Sequence, residues 1–146
     1  MVMRSRTPWR LKLHPEQLPR IVADARGRML VPTPLQVAKA LRRVPRSRLI
    51  TPALLRARLA RQSGADFTCP MTTGIFLSIL AGATEEALAR GRRPIAPYWR
   101  VVDDRGRLPP KFPPGPGRQA AHLRAEGHRV SRAGRVDQVG AALVRR

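Results

Sequence analysis

The chain is poor in cysteine, histidine, lysine and acid, and each shortage excludes something. One cysteine, Cys69, in 146 residues leaves no disulfide framework and no cysteine-rich zinc site. His14, His122 and His128 are scattered, with no second ligand at helical spacing and no cysteine beside them, so no metal is expected. No run approaches the ~20 apolar residues of a membrane span. Met1 to Arg10 carry charge but no apolar h-region, so no secretory signal and no membrane partner are expected. Acid is the deepest shortage: 9 Asp+Glu against 29 Lys+Arg, for a formal net charge of +20.

The cations are almost all arginine, since Lys12, Lys39 and Lys111 are the only lysines. Arginine with abundant Ala, Gly and Pro also follows from codon bias in a GC-rich genome, so placement says more than quantity. From Ala25 to Ala65 there is no acid, yet there are ten Arg/Lys, half the net charge. The hydrophobic content of 42% supports a modest core within one domain. A soluble, intracellular protein with a polyanionic partner, nucleic acid before an anionic membrane, is the class that remains.

Residues 1–31, interrupted by Pro8, Pro15 and Pro19, read as a basic, extended N-terminal arm that Trp9, Leu11 and Leu13 pin to the surface. Residues 32–146 read as the folded domain. Thr33-Pro34 and Thr51-Pro52 are cap-then-proline starts for two helices, the first stopped by Pro45 and the second by Gly64. Leu35, Ala38 and Leu41 are the expected inner face of the first. A third helix is expected from Cys69-Pro70 to Gly91, with an apolar stripe through Ile75, Phe76, Ile79, Leu80, Ala83, Ala87 and Leu88, and with Glu85 and Glu86 solvated. Tyr98 to Val102 reads as a strand before the turn Asp103 to Gly106. Arg118 to Ala125 reads as a short helix, His128 to Val136 as a hairpin, and Gln138 to Val144 as a last helix capped by Asp137.

Helix, turn, helix and then a basic hairpin is the order of a winged helix-turn-helix, an α+β fold that is mainly helical. One helix enters the major groove, its neighbour braces it, and the hairpin adds phosphate contacts. The expected DNA-binding residues are Arg42, Arg43, Arg46, Arg48, Thr51 and Arg56, then Thr72 and Thr73 at the start of the third helix, and Arg129, Arg132 and Arg135 on the hairpin.

Four collinear blocks carry a family resemblance. Val44-Pro45-Arg46-Ser47-Arg48-Leu49-Ile50-Thr51 resembles the segment leading into the first recognition-motif helix of the alkylguanine-DNA alkyltransferase DNA-binding domain. Pro97-Tyr98-Trp99-Arg100-Val101-Val102 is similar to that family's active-site Pro-Cys-His-Arg-Val-(Val/Ile). Asp104-Arg105-Gly106-Arg107-Leu108 resembles the turn that follows, and His122-Leu123-Arg124-Ala125-Glu126-Gly127 the Glu-Gly helix end. The resemblance spans residues 32–130 and implies a duplex-DNA-binding fold.

The family's reaction transfers an alkyl group irreversibly to a thiolate activated through a Cys-His-Glu relay. Here Tyr98 stands at the cysteine position and Trp99 at the histidine position; Glu126 alone matches. The resemblance therefore implies a non-enzymatic, alkyltransferase-like protein, one that also departs from the Pro-Trp-His-Arg common among such members. Pro52 replaces the usual tyrosine, Met71 to Phe76 hold no arginine, and the link over residues 81–93 is longer than usual, so base flipping is not expected. Tyr98, Trp99, Arg100 and Glu126 form the active-site-equivalent constellation, either as a lesion pocket or as plain core with Arg100 held by Glu126 or by carbonyls.

The expected function is duplex DNA binding, with sensing of alkylated or damaged DNA for repair proteins. A monomer without cofactor or small-molecule substrate is expected, in the cytoplasm and on the nucleoid in a bacterium. Two alternatives stay open. One is an alkyltransferase using Cys69, at a helix N-terminus, as a relocated nucleophile. The other is an RNA-associated or structural interaction protein.

Overall fold

The computed structural model describes residues 7–145, so the first six residues of the expected arm lie outside it. The fold is mixed α/β. The remainder of the arm is not extended. Trp9–Lys12 form a 3-10 turn, and a hairpin follows, β1 (Arg20–Asp24) and β2 (Gly27–Val31). The turn docks because Gly82, on a helix beneath it, has no side chain: a Cβ there would overlap the Trp9 indole. The Arg10 amide also donates to Glu86 at 2.9 Å. The hairpin turn is set by Asp24, whose carboxylate accepts from the Arg26 amide at 2.7 Å, and by Gly27 at φ 123°. Sequence periodicity misses this hairpin because β1 is exposed on both faces and so shows no apolar alternation.

The cap-then-proline signals hold. α1 (Pro34–Arg42) starts from a capping box, with Thr33 accepting from the Gln36 amide and Gln36 answering the Thr33 amide. Its inner face is Val37, Ala38, Ala40 and Leu41; Leu35, expected inside, is exposed. α2 (Pro52–Ser63) is capped by Thr51 and ends at Gly64 in the left-handed region, φ 68°. β3 (Phe67–Thr68) then joins β2 in parallel, pairing Met29 with Phe67 and Leu30 with Thr68. α3 (Pro70–Ala89) follows with Cys69 as its N-cap. Leu41, Leu55, Leu59, Leu80 and Ile50, each fully buried, form the centre where the three helices meet. Each such side chain contributes roughly 1.5–3 kcal/mol of burial. None of the helices among the described residues is long and apolar enough to cross a membrane.

The expected strand over Tyr98 to Val102 is in its first half a 3-10 turn, Tyr98–Arg100. Only Val101 and Val102 are strand-like. Val101 bridges Ile50 in parallel, with the Ile50 amide donating to the Arg100 carbonyl and the Val102 amide to the Ile50 carbonyl. The Gln119 side-chain amide donates to the carbonyls of Trp99 and Val101, at 3.1 and 2.8 Å, in place of a ladder neighbour. Gln119 belongs to α4 (Pro116–Ala125). The expected hairpin over 128–136 is reduced to one antiparallel bridge, Val130 to Val136, around a turn closed between Ser131 and Arg135. α5 is only Val139–Ala142; Gln138, in the left-handed region, precedes it, while the Asp137 amide bonds the Arg129 carbonyl. The chain end then runs beside Leu49, whose carbonyl accepts from Val144.

Gly82→Ala tests the docking of the N-terminal turn. Overpacking of this kind costs roughly 1–3 kcal/mol. Thermal unfolding should show a lowered midpoint, with red-shifted tryptophan emission as Trp9 leaves its seat.

Candidate functional site

Glu126, at the end of α4, is the most heavily bonded side chain of the constellation. Its carboxylate accepts from Trp99 Nε1 at 2.9 Å, from the Ser47 amide at 3.0 Å, and from Arg100 through Nε at 3.0 Å and Nη2 at 2.7 Å. Arg100 Nη1 donates to the Val44 carbonyl at 2.6 Å. The Glu126 and Arg100 side chains are 4% and 12% exposed, so the pair lies inside the molecule. Burial pushes the Glu126 carboxyl up, but the donors from Arg100, Trp99 and Ser47 outweigh it and hold the group below its ordinary value.

A second carboxylate, Glu85 of α3, sits behind the first. Expected on a solvated face, it is only 15% exposed and accepts from Tyr98 Oη and bonds His122 Nε2, both at 2.7 Å, and accepts from Arg118 Nε at 2.9 Å. Burial raises the Glu85 carboxyl, and the bonds from Tyr98, Arg118 and His122 lower it further than that. Burial and the neighbouring carboxylate both push the Tyr98 phenol upward. The Trp99 and His122 rings stack at 4.2 Å, and Tyr98 meets Trp99 and Phe112 edge-on. Tyr98 is 0% and Trp99 8% exposed. The active-site-equivalent position is therefore filled core, with Arg100 in the structural role. Glu85, Gln119 and His122 complete it, and none of the three carries a local sequence signal.

The open space lies elsewhere. A cleft of about 460 Å³ runs between the N-terminal ends of α2 and α3 and the proline-rich loop 109–112. Pro52, Pro70, Met71, Gly74, Ile75, Pro110 and Phe112 give it apolar walls; Arg56 and Lys111 are its cations. The expected apolar stripe of α3 is buried at Ile79, Leu80, Ala83 and Ala87, with Leu77 added; Ile75, expected within it, is 52% exposed beside Met71 at 74%.

The other sequence-selected residues divide in two. Arg42, Arg43, Arg46, Arg129, Arg132 and Arg135 are exposed, and Arg56 is half-buried. Thr51 and Thr73 are buried: Thr51 Oγ1 caps α2, and Thr73 Oγ1 donates to the Cys69 carbonyl at 2.8 Å. Thr72 Oγ1 donates to Cys69 Sγ at 3.1 Å. These hydroxyls are committed within the chain. Arg48 is half-buried, with Nη2 donating to the Leu143 carbonyl. It borders a polar hollow of about 540 Å³ with Ser47, His128 and Asp137, while a hollow of about 740 Å³ lies beside Arg105, Ser131 and Arg135. Burial lowers His128, against an opposing pull from Glu126. Cys69 is half-buried and does not line the apolar cleft. Burial raises its thiol, but the bonds from Thr72 and Met71 and the charge of Arg26 bring it below its ordinary value.

Two solved structures have a similar fold. Both are of the S. pombe alkyltransferase-like protein Atl1, one with damaged DNA containing O6-carboxymethylguanine and one described as a complex with DNA. Each is 18% identical, covers 77% of this chain and 94% of its own, and superposes with a TM-score of 0.52. The shared property is the mixed α/β fold. No protein-family model and no curated protein matches the chain.

Glu126→Gln should cost about 3–5 kcal/mol, the usual penalty for stranding one member of a buried pair. The sign with pH follows from the depressed carboxyl. Its stabilisation is complete above the unfolded value, about 4.3, and is lost as pH falls through the lower folded value. Urea unfolding across pH 2 to 7 should show that acid loss in the parent chain and a smaller one in Glu126→Gln.

Proposed function

We propose that the chain binds duplex DNA without catalysing a reaction on it, and reads altered bases in the apolar cleft beside α3. The observation that carries this is the position of the cleft. It opens at the N-terminal end of the helix expected to read DNA, in a fold shared with a protein solved on damaged DNA. Its walls offer apolar surface from Pro52, Met71, Ile75 and Pro110, suited to an alkylated base edge. Arg56 and Lys111 supply charge for the adjoining phosphates.

The exposed arginines grip the backbone: Arg42 and Arg43 at the end of α1 with Arg46 just beyond, and Arg129, Arg132 and Arg135 on the C-terminal hairpin, which serves as the wing. The absence of transfer chemistry rests on the core constellation. A buried tyrosine whose phenol is pushed upward is not a nucleophile at neutral pH. The Cys69 thiol lies below its ordinary value through its bonds to Thr72 and Met71, but it stands outside the cleft. Repair proteins are the proposed recipients of the marked duplex.

The test is fluorescence anisotropy with plain duplex, duplex carrying an O6-alkylguanine, and single-stranded RNA. Duplex affinity should fall with salt at a log–log slope of about −0.9 per phosphate neutralised. Arg129→Ala and Arg132→Ala should each flatten that slope by about one contact. A salt-independent affinity, or preference for the RNA, refutes the reading. Gly74 has open space where a Cβ would sit, so Gly74→Leu is accommodated by the helix and fills the cleft. It should erase the preference for the alkylated duplex and leave plain-duplex binding in place. Intact-mass analysis after incubation with alkylated DNA should show no gain; a gain abolished by Cys69→Ala would make the protein an alkyltransferase.

A further inference from the structure

The outer edge of β1 has no strand beside it among the described residues. Which backbone groups it offers follows from β2. The carbonyls of Arg28 and Leu30 point toward β3, where they accept from the amides of Asp66 and Cys69 at 2.8 and 2.9 Å. Their partners across the β1–β2 ladder are Ala23 and Ile21. In an antiparallel pair, residues whose groups point away from the partner strand stand opposite one another. Ile21 and Ala23 therefore turn their N–H and C=O groups out to the free edge, while Arg20, Val22 and Asp24 turn theirs to β2.

That edge is self-complementary. An antiparallel copy centred on Val22 places Ile21 opposite Ala23 of the second copy, with both exchanging backbone hydrogen bonds. Val22 then meets Val22, and Arg20 meets Asp24 at each end. All five residues of β1 are exposed, with Ile21 39% and Val22 40% accessible, and Leu18 nearby is 80% accessible. The usual protections of a free edge, lysine, proline or a bulge within the strand, are lacking in Arg20–Asp24. Its two end charges are opposite in sign and so match a second copy of the strand in this register, with Asp24 also held by the Arg26 guanidinium at 2.8 Å.

We propose that β1 is a homodimerisation edge, through which two copies pair antiparallel about Val22 and continue one sheet across the twofold axis. The contact is short and each copy carries +20, so the dimer is weak, concentration-dependent and best observed at salt that screens the repulsion. It is independent of the DNA-binding reading, which stands or falls on the anisotropy titrations.

Sedimentation equilibrium without DNA, from micromolar to millimolar chain, should show a monomer–dimer equilibrium. Ala23→Pro removes an amide that faces the free edge and leaves the β1–β2 ladder intact, so it should abolish the dimer with an unchanged circular dichroism spectrum. Arg20→Asp, which sets like charges opposite each other, should do the same. The register is read by cross-linking in a Cys69→Ser background, serine being a good N-cap. Val22→Cys places two thiols on the twofold axis at about 4.5–5.5 Å between Cβ atoms, close to disulfide reach, and should yield a covalent dimer on mild oxidation. Ile21→Cys, which faces Ala23, should remain largely monomeric. A chain that stays monomeric at every concentration, dimers that survive Ala23→Pro, or equal cross-linking at positions 21 and 22 overturns the proposal.

Discussion

The buried ion pair between Glu126 and Arg100 is the constraint on which the rest of the molecule depends. An isolated carboxylate at 4% exposure carries a desolvation cost of several kcal/mol, and it is tolerated here because donors surround it. Those donors come from separate segments: Ser47 from the loop after α1, Trp99 and Arg100 from the 3-10 turn, with Glu126 itself ending α4. Arg100 reaches one step further, to the Val44 carbonyl. The pair thereby fixes where α1 stops. It also fixes the short stretch to Thr51, where α2 begins, and so the angle at which α2 presents Pro52 and Arg56 to the cleft.

The same constraint explains why the place that resembles an alkyl-transfer centre holds no thiol–imidazole relay. A thiol–imidazole relay needs an open mouth and groups of matched proton affinity. Here Tyr98 and Trp99 fill the volume, stack with His122 and Phe112, and hand their polar atoms to Glu85 and Glu126. The carboxylate that would have oriented a base orients an indole instead. What remains open has moved to the neighbouring surface, where Gly74 leaves room on α3 and the 109–112 loop supplies the opposite wall.

Local signals in the sequence carried the helices. Thr33, Thr51 and Cys69, each followed by proline, mark three helix starts that the structure reproduces. The collinear blocks carried the Arg100–Glu126 pairing and the fold shared with Atl1. Three things were not legible. The β1–β2 hairpin lacks apolar alternation because β1 is exposed on both sides. Tyr98–Arg100 begins an expected strand but turns, with Gln119, twenty residues after Trp99, holding the Trp99 carbonyl and that of Val101 just beyond the turn. Glu85 looks like a solvated helix acid until Tyr98, Arg118 and His122 converge on it from other elements. The last two depend on contacts distant in sequence, which composition and periodicity do not encode. Thr72 and Thr73 donate their hydroxyl protons close by in sequence, to Cys69 Sγ and to the Cys69 carbonyl.

The scarcity of lysine, which also follows from codon bias, has a structural use. Many arginines hold a backbone carbonyl: Arg42 that of Ile95, Arg46 that of Ala125, Arg48 that of Leu143, Arg58 that of Arg145, Arg124 that of Val130 and Arg135 that of Arg105. A guanidinium has five N–H donors in a rigid fork, so one carbonyl bond leaves its charge and most of its donors free. Lysine, with a single rotatable ammonium on a flexible stem, does not staple a chain end and meet a phosphate with the same geometry. The arginines thus close loops that have little apolar content of their own, and the same bonds fix cations on the surface before any polyanion arrives. Side-chain entropy lost during folding is not lost again when the face meets a ligand, and in this way a small domain with a modest core keeps its charged face stiff.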